Sequence, residues 1–327
     1  MEFYGTLGPS CCRYSVLSKM YETGMTGVRL NLSHGMLEEH ANWIYLAVSA
    51  AGALGIKTKI LLDLQGPELR VGTMAGNRQL KSESDVIFGA RGIPVPQILL
   101  EQGRKGMKLL LDDGKLEVEV RECNGRQIIG RVIRGGILKS RKSIAVEGAG
   151  IDSPTLTQQD RDNLKLARKY GVTGVMLPFV RNRQDIICLK QVLEEEQLKD
   201  IKIFAKIENT AGVNALSDFL SEVDEVVIAR GDLGNAIPLW KLPAVQKMLS
   251  KQCRDANIPF MVVTQMLDSM EHHPVPTRAE VSDIYNAVLD GASSLMLTGE
   301  TAVGEYPEEA MTYLVKTARE AMSEMSI

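Results

Sequence analysis

The stretch that decides the fold contains two apolar segments of the same design, IFAKIENT at 203–210 and VVIARGD at 226–232. Each segment is short, contains branched side chains and ends abruptly in charged residues. A short apolar run of this kind is typical of a strand that is buried in a parallel sheet. The two segments therefore predict neighbouring parallel strands that carry charged residues at their carboxyl ends.

The charged residues at these strand ends form a candidate site for a metal and a phosphate. Lys206 and Glu208 are two positions apart and project to the same side, because side chains alternate along a strand. Asp232 ends the neighbouring strand, so two carboxylates and one ammonium meet at one mouth. Mg²⁺ is commonly held by one or two carboxylates plus a phosphate, and a nearby lysine can neutralise a transferring phosphoryl group. Alternatively, these charges are the solvated ends of two strands.

The composition of the chain argues against several classes of protein. Its 327 residues suffice for one large domain and a small one. The net charge of −3 lacks the basic excess of a nucleic-acid-binding protein. The five cysteines are scattered and show no CxxC spacing, so neither a disulfide framework nor a zinc site is expected. We expect reduced thiols in a cytoplasmic protein instead. Because no apolar run approaches the ~18–20 residues of a membrane span, no membrane is expected as a partner.

Apolar strand-like runs recur along the chain with helix-like segments between them. This alternation predicts βα units and a parallel sheet. Eight such units predict an α/β fold of the TIM (β/α)₈ barrel type, which typically has ~250 residues. The predicted strands lie near residues 2–7, 27–33, 59–65, 174–179, 202–208, 225–232, 260–265 and 293–300.

The spacing of the predicted strands breaks once, after the third of them. The long gap contains KLLLDDGKLEVEV, GRQIIGRVIRGG and KSIAVEG, whose alternation and Asp-Gly, Asn-Gly and Gly-Gly turns indicate β-hairpins. A small β-barrel domain, residues 71–150, is therefore predicted as an insertion after strand 3, and residues 1–70 and 151–327 form the catalytic barrel. An insertion in a βα loop lies at the carboxyl face of the barrel, where it can act as a lid.

The motifs of the chain resemble pyruvate kinase over nearly its whole length. Beside IFAKIENTAG and VVIARGDLG, the resemblance rests on TLGPS at 6–10, GVRLNLSHG at 27–35, LLDLQGPELRVG at 61–72, VVTQMLDSM at 262–270 and PTRAEVSDIYNAVLDGASSLMLTGETAVGEYP at 276–307. It implies phosphoryl transfer from phosphoenolpyruvate to ADP, giving pyruvate and ATP, with Mg²⁺ (or Mn²⁺) and K⁺ as cofactors. The resemblance does not extend to the family's C-terminal domain, so hyperbolic kinetics without activation by fructose 1,6-bisphosphate are expected.

The second predicted strand carries a polar face. Arg29, Asn31 and Ser33 alternate with apolar residues and therefore share one side of the strand. The oxygens of Asn31 and Ser33 suit a monovalent cation, and the guanidinium of Arg29 suits a phosphoryl group. The resemblance implies that Asn31 and Ser33, together with Asp63 and the backbone carbonyl of Leu64, hold K⁺.

Four residues are implied by the resemblance to contact the nucleotide, namely Asn31, His34, Arg70 and Lys142. Two of these assignments have an open alternative: His34 as a residue at the start of a helix, and Lys142 as a solvated lysine in a basic turn. The resemblance also implies that Glu68 marks the K⁺-dependent members of the family, because a lysine at this position would replace the charge of the cation.

The remaining expectations concern the substrate. Gly231 and Asp232 open a predicted short helix whose backbone N–H groups suit an anion, and the resemblance implies that they take the carboxylate of pyruvate or phosphoenolpyruvate. Thr264 would face the methylene group that gains a proton. Arg29, Lys206 and Thr264 are thus the expected catalytic residues.

Two other functions remain open at this stage. The first is a metal-dependent aldolase or lyase acting on the enolate of pyruvate, which would need the carboxylates but neither the K⁺ ligands nor a lid. The second is a non-catalytic relative used for binding or regulation, which the departures from the family in the lid and at Gln65, Pro178, Asn235 and Ala236 keep open. A homo-oligomer assembled through the barrel is a further option.

Overall fold

The structure is a computed structural model that describes residues 1–112, 114–146 and 151–324. Its strands, in chain order, are β1 (Glu2–Thr6), β2 (Gly27–Asn31), β3 (Lys59–Asp63), β4 (Arg78–Leu80), β5 (Asp85–Gly89), β6 (Lys108–Leu111), β7 (Leu116–Cys123), β8 (Gln127–Arg134), β9 (Gly136–Leu138), β10 (Ile144–Val146), β11 (Gly174–Leu177), β12 (Lys202–Ile207), β13 (Glu225–Ala229), β14 (Phe260–Val263) and β15 (Ser294–Leu297). Its α-helices are α1 (Tyr14–Thr23), α2 (Ala41–Ala53), α3 (Gln97–Gln102), α4 (Gln158–Lys165), α5 (Arg183–Glu195), α6 (Thr210–Phe219), α7 (Arg230–Ala236), α8 (Leu242–Asp255), α9 (Arg278–Leu289), α10 (Gly299–Ala302) and α11 (Pro307–Glu324).

Eight parallel strands close into a barrel in the order β1-β15-β14-β13-β12-β11-β3-β2. This confirms the predicted TIM barrel and the existence of all eight predicted strands. Each observed strand ends one to three residues earlier than predicted; β12 ends at Ile207 and β13 at Ala229. The polar residues beyond these points leave the hydrogen-bonded ladder and begin loops or helices, as Arg230 does at the start of α7.

The interior of the barrel explains why the polar residues lie at its mouth. Side chains on one face of a strand recur every second residue. The inward-facing side chains are therefore Leu61 and then Asp63 in β3, and Phe204 and then Lys206 in β12. Below this polar level, the interior is filled by a compact apolar cluster and leaves no room for a substrate. The cluster consists of Tyr4, Leu61, Met176, Phe204, Val227, Ala229, Met261, Val263 and Met296.

The helices cover the outside of the barrel, and their capping residues also fix nearby loops. At α4, Thr157 and Asp160 form a capping box, which satisfies backbone N–H groups at the start of the helix. The same Asp160 is fully buried and accepts a hydrogen bond of 2.8 Å from the N–H of Gln65. The start of α4 therefore holds the loop that follows β3. None of the described helices is both long and apolar enough to cross a lipid bilayer.

The insertion predicted after strand 3 is confirmed, but its described strands form open sheets and not the predicted β-barrel. Its described strands form an antiparallel five-stranded sheet in the order β10-β6-β7-β8-β5 and a two-stranded sheet of β4 and β9. The insert has an apolar core separate from that of the barrel, as a domain requires. The bounds of 71 and 150 stay predictions, and residue 150 lies outside the described residues.

The segment that enters the insert after β3 is paired with a segment of the insert that lies next to β10. The N–H of Val71 donates to the carbonyl of Lys142, and the N–H of Ile144 donates to the carbonyl of Leu69, both at 2.8 Å. This antiparallel pairing fixes the entry of the chain into the insert.

Candidate active site

Four charged side chains at the mouth of the barrel contact one another directly. Lys206 Nζ lies 3.1 Å from Asp63 Oδ1 and 2.8 Å from Glu208 Oε1. Arg29 Nη2 lies 2.5 Å from Asp63 Oδ2. The prediction that Lys206 and Glu208 project together is thus confirmed. We call Arg29, Asp63, Lys206 and Glu208 the mouth cluster.

The mouth cluster is nearly closed to solvent and electrically balanced. The side chains of Asp63 and Glu208 are 2% and 1% exposed, and that of Lys206 is 13% exposed. Two cations face two carboxylates, and a buried charge is tolerated only when it is paired in this way. The sequence left open that the charged residues at the strand ends are solvated. The burial of the mouth cluster rules out that alternative for its members.

The charges of the mouth cluster reinforce one another. Burial alone would raise the pKa of Asp63, but the adjacent cations Lys206 and Arg29 lower it below its usual value. Burial alone would lower the pKa of Lys206, but Asp63 and Glu208 raise it well above its usual value. Lys206 therefore keeps its proton at neutral pH and acts as a fixed positive charge.

Glu208 and Asp232 open onto a cleft of about 240 Å³ between the barrel and the insert. Glu208 is oriented from two sides, since Oε1 pairs with Lys206 and Oε2 accepts a 2.7 Å hydrogen bond from the N–H of Phe179. Phe179 has a φ of 54°, an unusual value for a residue other than glycine. Two carboxylates at one cleft are a donor set that suits Mg²⁺. The described residues contain no cluster of three or more histidine, cysteine or carboxylate side chains placed to bind a metal.

The expected K⁺ ligands come from two neighbouring strands. Asn31 and Asp63 are direct partners in the register of β2 and β3. Asn31 Oδ1 accepts a 3.1 Å hydrogen bond from the N–H of Ser33, which lies in the short 3₁₀ helix Leu32–His34. Leu64 follows Asp63 directly and donates its N–H to the carbonyl of Met176. This grouping of oxygen atoms suits a hard monovalent cation, although the carboxylate of Asp63 also serves Arg29 and Lys206.

Thr264 and Gly231 lie together but use each other's hydrogen-bonding groups. The N–H of Gly231 donates to Thr264 Oγ1 at 2.7 Å, and this hydroxyl donates to the carbonyl of Val263. Gly231 and Asp232 do lie in the first turn of α7, as predicted. A substrate carboxylate would therefore have to displace the threonine hydroxyl from the N–H of Gly231.

Of the residues expected to contact the nucleotide, Arg70 contacts the insert. Arg70 Nε lies 2.8 Å from Glu68 Oε2, and Arg70 Nη1 donates to the carbonyl of Arg141. Loss of solvent around the ring, together with the charges of Arg70 and Arg29, lowers the pKa of His34. The imidazole is therefore neutral at physiological pH.

Lys142, another residue expected to contact the nucleotide, is paired within the insert. Its Nζ lies 2.7 Å from Asp112 Oδ1, a carboxylate of the insert itself. The side chain is 35% exposed and has this anionic partner, so both the nucleotide-binding role and the alternative of a solvated lysine stay predictions. Its neighbour Ser143, rather than Lys142, lines the cleft.

Sequence reasoning missed two groups that orient the mouth cluster. Thr6 Oγ1 accepts a 3.1 Å hydrogen bond from Arg29 Nη1, and Thr6 faces Arg29 in the register of β1 and β2. The other group is the N–H of Phe179, which orients Glu208. The position of Thr6 at a strand end was a usable signal, whereas nothing in the sequence indicates a backbone donor at Phe179.

Replacement of Asp63 by asparagine is expected to change how stability depends on pH. Because the folded pKa of Asp63 lies below its ordinary value of 3.8, its charge stabilises the folded state above that pH, and this contribution is lost as pH falls through the folded pKa. At neutral pH, Asp63→Asn should cost ~3–5 kcal/mol, since two buried cations lose their anion. Urea unfolding from pH 2.5 to pH 7 measures both effects.

The control for this prediction is the exposed carboxylate of Asp218, whose replacement by asparagine should change the free energy of unfolding little at any pH. Parallel stability curves for the unaltered chain and Asp63→Asn would contradict the electrostatic role given to Asp63.

The sequence of the chain matches known proteins over nearly its whole length. The family described as "Pyruvate kinase, barrel domain" matches residues 2–311. The pyruvate kinase of Bacillus licheniformis is 39% identical, with 98% of this chain and 57% of the relative covered. That of Geobacillus stearothermophilus is 38% identical, with 94% and 54% covered. That of Clostridium acetobutylicum is 34% identical, with 98% and 70% covered.

The chain spans about half the length of the first two of these relatives. The match nevertheless includes every barrel strand and the insert, because it begins within β1 and ends within α11. On this evidence the chain belongs to the pyruvate kinase family.

Proposed function

We propose that the chain transfers a phosphoryl group from phosphoenolpyruvate to ADP, giving pyruvate and ATP. The observation that carries this proposal is the mouth cluster, which holds two fixed cations beside the cleft that Glu208 and Asp232 line. Phosphoryl transfer leaves little covalent chemistry to the protein and depends on positioning and on neutralising charge. The mouth cluster offers both.

Glu208 and Asp232 would hold the divalent cation, Mg²⁺ or Mn²⁺. When bound, such an ion would supply positive charge that offsets the charge of the substrate and of the phosphoryl group. Glu208 is prepared for this role because the N–H of Phe179 and the ammonium of Lys206 fix its two oxygens. A ligand that is held in place before binding loses less freedom when the ion arrives.

Arg29 and Lys206 would neutralise the phosphoryl group as it leaves the enolate. Both are anchored through Asp63, so their charged ends need not be ordered during the reaction. Since the pKa of Lys206 is raised, its ammonium stabilises the developing enolate as a fixed charge rather than as a proton donor. We therefore assign protonation of the methylene carbon to the side of Thr264.

The substrate carboxylate would take the N–H groups of Gly231 and Asp232. The first of these donates to Thr264 Oγ1 in this structure. Binding would then release the threonine hydroxyl from this contact and free it to face the methylene carbon. This exchange links occupation of the site to the orientation of Thr264.

The remaining assignments concern K⁺ and the nucleotide. Asn31, Ser33, Asp63 and the carbonyl of Leu64 would hold K⁺, which adds positive charge near the phosphoryl group. His34, Arg70, Lys142 and again Asn31 would face the nucleotide. Of these residues, Lys142 would have to leave Asp112 to reach a phosphate, so its role requires movement within the insert.

A coupled assay with lactate dehydrogenase tests the proposed function. The purified chain, supplied with phosphoenolpyruvate, ADP, Mg²⁺ and K⁺, should form pyruvate only when ADP is present. Pyruvate formed without ADP would favour a lyase or phosphatase, and substrate binding without turnover would favour a non-catalytic relative.

Glu68→Lys is expected to relax a requirement for K⁺. Glu68 lines the cleft and pairs with Arg70, and burial raises the pKa of its carboxyl. A fixed ammonium at this position can supply the charge of the cation, so the variant should retain activity with tetraalkylammonium as the only monovalent ion, where the unaltered chain should lose it. Steady-state rates over a K⁺ titration measure the difference.

Glu68→Gln is the matched control, because it removes the carboxylate without adding an ammonium. It should leave the requirement for K⁺ in place. Equal K⁺ dependence in all three proteins would contradict the charge-replacement idea.

A further inference from the structure

The turn that presents Thr264 has an unusual backbone. Thr264 and Gln265 follow β14 with φ values of 71° and 51°, and both lie in the left-handed region that residues with a Cβ rarely occupy. Two consecutive residues of this kind persist only when their surroundings hold them. Thr264 belongs to this turn, and its Oγ1 atom accepts a hydrogen bond from the N–H of Gly231. The conformation of the turn therefore decides where the hydroxyl lies.

Arg230 is the side chain that holds this turn. It begins α7 at the end of the neighbouring strand β13 and is only 8% exposed. Its Nε and Nη2 atoms lie 3.2 and 2.8 Å from the carbonyl oxygen of Thr264, and Nη2 lies 3.2 Å from that of Gln265. One planar guanidinium therefore binds the carbonyl groups of both left-handed residues.

The charge of Arg230 is balanced from the other side. Its Nη1 atom lies 2.5 Å from Asp283 Oδ2 on α9. Asp283 thereby orients the guanidinium and neutralises it where it is buried. The fork shape matters here, since a lysine at position 230 could carry the charge but could not span two carbonyl groups and a carboxylate at once.

We propose that Arg230 is a positioning residue that acts through Thr264, by fixing the left-handed turn so that the threonine hydroxyl faces the substrate. This inference rests on the proposed function, in which Thr264 lies on the side from which the methylene carbon is protonated. In this scheme Arg230 itself does not contact the reacting atoms, because its guanidinium is bound to the carbonyl groups of the turn and to Asp283.

The test compares Arg230→Lys with Arg183→Lys, a matched substitution of an exposed arginine that pairs with Glu222 on the barrel surface. Arg230→Lys should lower kcat by ~10- to 100-fold, as small displacements of a reacting group do. The KM for ADP should change little, and the exchange of methyl protons of pyruvate in D₂O should fall in parallel with kcat. Arg183→Lys should leave all three unchanged.

A double-mutant cycle shows whether the effect passes through Thr264. In a Thr264→Ala background, Arg230→Lys should lower kcat by less than ~3-fold, because the hydroxyl that it positions is gone. An undiminished loss in that background would overturn the proposal and leave Arg230 with a merely structural role. If Arg230→Lys does not fold, Asp283→Asn, which keeps both carbonyl contacts, supplies the same cycle with a smaller loss.

Amide exchange provides a readout that does not depend on activity. Arg230→Lys should speed hydrogen–deuterium exchange of the Gly231 N–H by ~10-fold, since its acceptor is no longer held. The amides of β12, which Arg230 does not contact, serve as the reference. If the exchange rate of the Gly231 N–H is the same in Arg230→Lys and in the unaltered chain, the proposal is overturned, whether or not the chain has pyruvate kinase activity. If the unaltered chain is inactive but the Gly231 N–H exchanges faster in the variant, only the proposed function is overturned.

Discussion

Lys206→Met is expected to lower the rate of phosphoryl transfer by at least ~10²–10³-fold, the usual loss when one group that stabilises a transition-state charge is removed. The ammonium of Lys206 is held between Asp63 and Glu208, and methionine fills a similar volume without charge. Exchange of the methyl protons of pyruvate should survive in part, because under the proposed function a bound divalent cation would also stabilise the enolate. Coupled kinetics and proton NMR in D₂O measure the two activities.

The variant also has an expected effect on cation binding that separates it from simple misfolding. Removal of the positive charge beside Glu208 should strengthen the binding of Mn²⁺, since one competing cation is gone. The matched control is Lys190→Met, which removes an ammonium from a partly exposed pair with Glu222. Equal loss of phosphoryl transfer and proton exchange would contradict the role assigned to Lys206.

Glu208→Gln should weaken the binding of the divalent cation by more than ~100-fold. Removal of an outer-shell partner of a metal ligand already costs about 10–100-fold in affinity, and loss of the ligand itself should exceed this. The amide keeps an acceptor for the N–H of Phe179, so the local shape is largely preserved. Titration of Mn²⁺ followed by electron paramagnetic resonance measures affinity independently of activity.

Glu222→Gln is the control for this prediction, because Glu222 also pairs with two cations but lies outside the cleft. It should leave the affinity for Mn²⁺ unchanged. If Glu208→Gln binds Mn²⁺ as tightly as the unaltered chain, Glu208 is not a ligand and the metal site lies elsewhere.

The parts of the site that the sequence predicted are those that depend on local periodicity. Eight apolar runs predicted eight barrel strands, since burial in a parallel sheet demands such runs. The two-residue period of a strand predicted that Lys206 and Glu208 share a face. The same reasoning predicted a shared face for Arg29, Asn31 and Ser33, but β2 ends at Asn31 and Ser33 lies in the 3₁₀ helix that follows. Each of these inferences used only the residues of one predicted strand.

The parts that the sequence could not predict depend on register between strands or on backbone conformation. The contact of Arg29 with Asp63 requires side chains of β2 and β3 to meet, which no spacing within one strand reveals. The commitment of the Gly231 N–H to Thr264 follows from a left-handed φ at a β-branched residue, for which the sequence offers no signal.

The residues that support the site show the same limit. Arg230 follows a strand end and resembles a solvated charge in the sequence, yet it is buried and bonded on three sides. The sequence places Lys142 in a basic turn, and the structure pairs it with Asp112. In both cases the partner is distant in the chain, so only the three-dimensional structure identifies it.

The central claim is that the mouth cluster, together with Asp232, promotes the transfer of a phosphoryl group from phosphoenolpyruvate to ADP. The most direct measurement follows the phosphorus atoms themselves by ³¹P NMR, with phosphoenolpyruvate, ADP, Mg²⁺ and K⁺ present. The unaltered chain should convert the phosphoenolpyruvate signal into those of ATP with no accumulation of inorganic phosphate, and Lys206→Met should not. An unchanged phosphoenolpyruvate signal, or its conversion into inorganic phosphate alone, would contradict the claim.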